Sequence, residues 1–187
     1  MKRIPFVEEM RAARRAGRKT QTRRVGRCPY RVGDVLGIGE PHVLHIERSG
    51  SLPGAQLVCQ YDDGTIRKIQ IANDDEALRW QKKVTVGVKD DGWEMGGTRR
   101  SGRFLPDAFV RDRIRVTAIR REPLQALTEA DAFAEGMRCS CGHHDALCGS
   151  SGLIAQFAAL WDSLHGKVPG ERWIDNPPVT VVSFDRC

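Results

Sequence analysis

The chain is 187 residues long, 40% hydrophobic and 29% charged, with a formal net charge of +6. That length suits one domain carrying a sizeable core and an elaborate insertion, and no apolar run approaches the about 20 residues a membrane-spanning helix needs. The basic N-terminus is not followed by the apolar core of a secretory signal, so a cytoplasmic setting with reduced thiols and no membrane partner is the expectation.

Phe6, Met10 and Ala13 recur at helical spacing from Pro5 onward, Glu8 and Glu9 suit a first turn, and Gly17 is placed to end the helix. Lys19–Val25 then reads as a strand, and Gly33–Gly39 as another whose glycines suggest a bulge or close backbone approach. Segments 56–61 and 65–71, joined by Asp62-Asp63-Gly64, predict a hairpin. A further strand is expected over Val84–Val88, and a long mobile loop, placed to cover a site, over Lys89–Phe104. Arg113–Arg120 alternates as a core strand, with Ile114, Val116 and Ala118 on one face. In the next segment Thr128 can cap a short helix with Asp131 returning the bond, and Gly136 ends it. Ser151–Leu164 is amphipathic, with Leu153, Ile154, Phe157, Leu160, Trp161 and Leu164 on one stripe. A last strand, Val179–Phe184, follows the Asn176-Pro177-Pro178 turn. Many strands with few short helices predict an α+β fold, a closed or nearly closed barrel with helices packed at its ends.

The helix exit Gly17-Arg18-Lys19-Thr20-Gln21-Thr22-Arg23-Arg24 is polar on both faces of an extended segment. Lys19, Gln21 and Arg23 fall on one face; Thr20, Thr22 and Arg24 fall on the other. Such a strand buries little apolar surface, so its polar groups must be satisfied by water, by each other or by a ligand. Arg11, Arg14, Arg15, Arg18, Lys19, Arg23, Arg24 and Arg27 all lie in this first stretch of chain. They read either as a footprint for phosphate or as a solvated basic face.

The order of Gly17-Arg18-Lys19-Thr20-x-Thr22-x-Arg24, Gly33-Asp34-Val35-Leu36, Leu127-Thr128-Glu129 leading to Ala132-x-x-Glu135-Gly136-Met137, and Val181-Val182-Ser183-Phe184 resembles the ASCH superfamily. Trp161-Asp162-Ser163-Leu164-His165-Gly166, Trp173 and Asn176-Pro177 further resemble ASCH-like proteins of bacteriophages and prophages. The resemblance implies a single domain over 1–187, a small PUA-like β-barrel with an insertion at about 41–112 and a Cys/His-rich connection at 138–150. The first three segments and the last strand are also similar to the N(4)-acetylcytidine amidohydrolases. Carried over from that branch, Lys19, Thr22 and Glu135 would be catalytic. The substrate would be a modified nucleoside or nucleotide, and no catalytic cofactor is implied. RNA binding or ribonuclease activity is the alternative that the superfamily suggests.

Amide hydrolysis needs an activated nucleophile, a proton for the departing amine and a stabilised oxyanion. Lys19 can serve as base if burial and the neighbouring arginines lower its pKa. Lys19 and Thr22 would face oppositely in a regular strand, so a bend must bring them together. Glu135 can shuttle the proton or orient Lys19, while Arg24 and Arg23 can bind phosphate or the oxyanion. Glu40, after the glycine-rich strand, is either a further acid at the barrel mouth or a surface carboxylate.

Cys139, Cys141, His143, His144 and Cys148 crowd into ten residues and can supply a tetrahedral set. Their spacing matches no standard finger, and a structural zinc and an unmetallated loop are equal readings. Catalytic zinc is disfavoured, because no HxE pattern pairs with PCxxC. Cys28, Cys59 and Cys187 read as incidental.

Overall fold

The computed structural model describes residues 1–48, 55–73, 75–77, 79–80, 99–138 and 152–187. In chain order the principal elements are β1 (Arg3–Pro5), α1 (Glu8–Arg15), β2 (Gln21–Val25), β3 (Val35–Gly39), β4 (His42–Arg48), β5 (Ala55–Tyr61), β6 (Ile66–Gln70), β7 (Arg113–Pro123), α2 (Glu129–Ala134), α3 (Gly152–His165) and β8 (Pro178–Arg186). The fold is therefore α+β. Among the described residues the strand pairings do not close into a ring, and no helix is long and apolar enough to cross a membrane.

The chain divides into two compact units, Met1–Pro5 with Gly37–Asp112 and Phe6–Leu36 with Arg113–Cys187. The described residues of the stretch expected as an insertion lie in the first unit. There β1 pairs in parallel with β3, Arg3 opposite Gly37, and β4, β5 and β6 form an antiparallel sheet. The expected hairpin is present: Gly64 turns the chain at φ +81°, and Tyr61 N donates to Thr65 O at 2.9 Å. Leu44, Leu57, Cys59 and Tyr61 pack against Leu105 and Phe109 to make this unit's core. The sequence reading contains no strand at β4, because histidines at positions 42 and 45 interrupt the apolar alternation that marks one. The expected strand over Val84–Val88 and most of the expected loop lie outside the described residues; of that loop, Gly102–Phe104 form a single 3-10 turn.

In the second unit β2, β8 and β7 are successive antiparallel neighbours. The register of β7 slips between Val116 and Ala118. One extra residue there exchanges the two faces, so Ala118 is exposed and does not continue the Ile114–Val116 stripe as its alternation predicts. The same slip puts Arg120 and Glu122 on the face that carries Arg23. Helix α2 begins on the expected box, Thr128 and Asp131 exchanging hydrogen bonds, and Gly136 leaves it at φ +100°. In α3, Leu153, Phe157 and Trp161 are buried, whereas Leu164 is 52% exposed, so the buried stripe is narrower than its pattern suggests.

Half of the charges of the basic first segment belong neither to a solvated face nor to a surface footprint. Arg11, Arg14, Lys19 and Arg23 are all buried. Arg11 donates to Phe6 O at 2.7 Å and pairs with Glu8, and Arg14 donates to Arg113 O. Guanidinium groups here satisfy carbonyls and carboxylates inside the unit, which spacing alone does not reveal.

Candidate active site

The polar segment begins where α1 stops. Gly17 takes φ +75°, and the amides of Arg18 and Lys19 both donate to Ala13 O, at 2.9 and 3.3 Å. Thr20 N then donates to Ala134 O at 2.8 Å, tying the segment to the end of α2, and Thr20 O accepts from Phe184 N at 2.9 Å, opening the ladder with β8. Because bonding alternates along an antiparallel pair, the carbonyl of Gln21 points away from β8, off the free edge of β2.

Lys19 fills that edge. Its Nζ donates to Gln21 O at 2.7 Å, to Glu135 O at 2.9 Å and to Glu135 Oε2 at 2.7 Å. All three ammonium donors are used, and residue and partner are each 3% exposed. Gly136 permits the approach, since a Cβ there would lie 2.9 Å from that of Ala13 and 3.4 Å from that of Lys19.

The second oxygen of Glu135 accepts from Arg23 Nη1 at 3.2 Å. Arg23 also reaches Glu122 at 2.6 Å and Asp131 at 3.3 Å, while Arg120 pairs with Glu122 at 2.7 Å and Asp131 at 2.8 Å. Register explains the meeting: Arg23 and Arg120 both lie opposite Val181. Gln21 completes the network, donating to Asp131 at 3.0 Å and accepting from Arg120 at 3.3 Å. Lys19, Arg23 and Arg120 thereby balance Glu122, Asp131 and Glu135.

Electrostatics give each group a bias. Burial lowers the Lys19 pKa; Glu135 opposes this, and the charges of Arg24 and Arg23 add to it. Burial also lowers Arg24, against the influence of Tyr30 and Glu135. Burial raises Asp131, but hydrogen bonds from Gln21 and Thr128 and the charge of Arg23 outweigh it and hold the carboxyl well below the usual range.

Thr22 is buried on the opposite face of β2, in register with Val182. Phe6 and Arg24 mark that face: Phe6 packs against Phe184 at 5.9 Å and the Arg24 guanidinium lies 5.8 Å from the Phe6 ring centre. Lys19 Nζ is 5.3 Å from the same centre. Lys19 precedes the strand, and its ammonium sits at the strand's edge, bonded to Glu135 and close to the Thr22 side. Among the described residues the Thr22 hydroxyl is not hydrogen-bonded to Lys19, whose donors are taken.

Arg23, expected at the substrate, instead spends its charge on three carboxylates, with its side chain fully enclosed. Glu40 lies in the first unit, 2% exposed rather than at the surface. There Arg111 Nε donates to it at 3.0 Å, Arg111 also pairs with Asp63 at 2.7 Å, and the guanidinium stacks 3.8 Å from the Tyr61 ring centre. Cys139, Cys141, His143, His144 and Cys148 lie outside the described residues, among which no group of metal-ligating side chains occurs. Sequence reasoning missed Arg120 and Glu122 as partners of Arg23, and gave Asp131 only its capping role. The one available signal, alternating charge at the end of β7, is masked by the register slip. No protein-family model, curated protein or solved structure matches this chain.

Proposed function

We propose that this chain is an ASCH-like, PUA-fold amidohydrolase that removes an acyl group from a pyrimidine nucleoside, N(4)-acetylcytidine or a related modified base. The observation that carries the reading is the buried Lys19–Glu135 pair, with Nζ 2.7 Å from Oε2. Glu135 takes a proton from Lys19, and the neutral amine then takes the Thr22 hydroxyl proton as Oγ adds to the acyl carbonyl. Arg24 stabilises the oxyanion. Collapse breaks the C–N bond, the amine leaves with the proton returned by Lys19, and water hydrolyses the threonine ester to restore Thr22. Arg23 is the positioning residue that fixes the other oxygen of Glu135. The burial of four basic residues of the first segment leaves less exposed charge for the alternative, RNA binding or ribonuclease activity.

The role of the hydroxyl is tested by release of cytidine from N(4)-acetylcytidine. Thr22→Ser retains turnover and Thr22→Val loses it; equal rates in both would refute a nucleophilic Thr22. The pH profile tests the base. Because Lys19 is active when deprotonated and its pKa lies below the ordinary 10.5, kcat rises with pH with a midpoint under that value. Arg24→Gln removes a positive neighbour and shifts the midpoint upward, whereas an unmoved midpoint would take Lys19 out of the titration.

A further inference from the structure

Two guanidinium groups flanking the buried pair have no counter-charge among the described residues. Arg18 immediately precedes Lys19, and Arg138 lies three residues beyond Glu135. The two segments run against each other, joined by Thr20 N to Ala134 O at 2.8 Å and Lys19 Nζ to Glu135 O at 2.9 Å, with Gly136 packed on Lys19. Arg18 and Arg138 are thus brought together, close enough that the charge of Arg138 lowers the pKa of Arg18 further than burial already does. Arg18 Nε is a buried donor with no partner. Lys19, Arg23 and Arg120, in the network around Glu135 and Asp131, are each matched to carboxylates.

Like charges held side by side repel, and an unfilled buried donor costs free energy. A phosphate between the two side chains removes both penalties, since its oxygens accept the paired N–H groups that guanidinium presents. We infer that Arg18 and Arg138 form a phosphate clamp beside the Lys19–Glu135 site, so that the ligand it takes is a phosphorylated nucleoside rather than a free one. The phosphate is a monoester in a nucleotide or a diester in an oligonucleotide; the chemistry recognised is the same. This inference rests on the nucleoside reading of the site but not on hydrolysis taking place there.

Calorimetric titration of the full chain with cytidine, cytidine 5′-monophosphate, a short cytidine oligonucleotide and inorganic phosphate tests it. The monophosphate is expected to bind at least about tenfold more tightly than cytidine, a difference that falls to near unity in the Arg18→Gln/Arg138→Gln double variant. Tighter binding of the oligonucleotide, lost in the same variant, would identify the diester as the natural source. Equal affinity for cytidine and its monophosphate, a preference that survives the double variant, or a monophosphate no tighter than inorganic phosphate would each overturn the clamp. Parallel hydrolysis assays on acetylated cytidine and its monophosphate keep the two questions apart: no turnover of either refutes the amidohydrolase reading, while the binding ratio judges the clamp.

Discussion

Glu135→Ala is expected to destabilise the second unit by about 3–5 kcal/mol and to abolish hydrolysis. The loss in stability has a specific source. Lys19 would keep two carbonyl acceptors, Gln21 O and Glu135 O, but its charge would stand buried with no carboxylate, beside a second cation, Arg23. Glu135→Gln separates the two effects. The amide keeps an oxygen for Lys19 and costs less stability, but cannot take up the ammonium proton, so activity near neutral pH is lost in both variants. Urea unfolding followed by far-ultraviolet circular dichroism, with turnover measured on the same preparations, gives both numbers. An alanine variant as stable as wild type would mean that the pair is not buried as described.

The second large effect belongs to the first unit and involves no charge. Gly102→Ala would place a Cβ 2.3 Å from the Gly39 carbonyl carbon and 2.6 Å from the Glu40 nitrogen. Both are backbone atoms at the end of β3, and neither can rotate aside. A cost of about 3 kcal/mol or more is expected, against less than about 0.5 kcal/mol for Ser101→Ala at the exposed neighbouring position. Equal unfolding midpoints for the two variants would show that the backbones do not meet there.

That contact shows what the sequence offered and what it withheld. Glycines in the Gly33–Gly39 strand signalled close approach, and Gly39 does approach another backbone; that the partner is Gly102, sixty-three residues on, is a tertiary fact no local pattern carries. The α1 turn, the Asp62-Asp63-Gly64 hairpin and the Thr128 cap were legible because each depends on residues within a few positions. Lys19 and Glu135 were legible as candidates through motif order, and the polar character of the β2 segment followed from its two faces. The neutralising network was hidden for two reasons. The slip at Val116–Ala118 reverses the faces of β7, and the sequence does not mark it with glycine or proline. Moreover, a run of arginines looks the same whether it meets solvent or a row of carboxylates; only register brings Arg120 and Glu122 to Arg23. Glu40 illustrates the same point, since its partner Arg111 is seventy-one residues away.

The most direct test of the central claim is conversion of N(4)-acetylcytidine to cytidine and acetate by the purified chain beside Lys19→Met, a variant that keeps the buried stem and removes the charge. Turnover by the wild type that falls by at least about a thousandfold in Lys19→Met, with far-ultraviolet dichroism unchanged, is the predicted result. No release of cytidine by the wild type across the neutral-to-alkaline range, or equal release by both proteins, would contradict it.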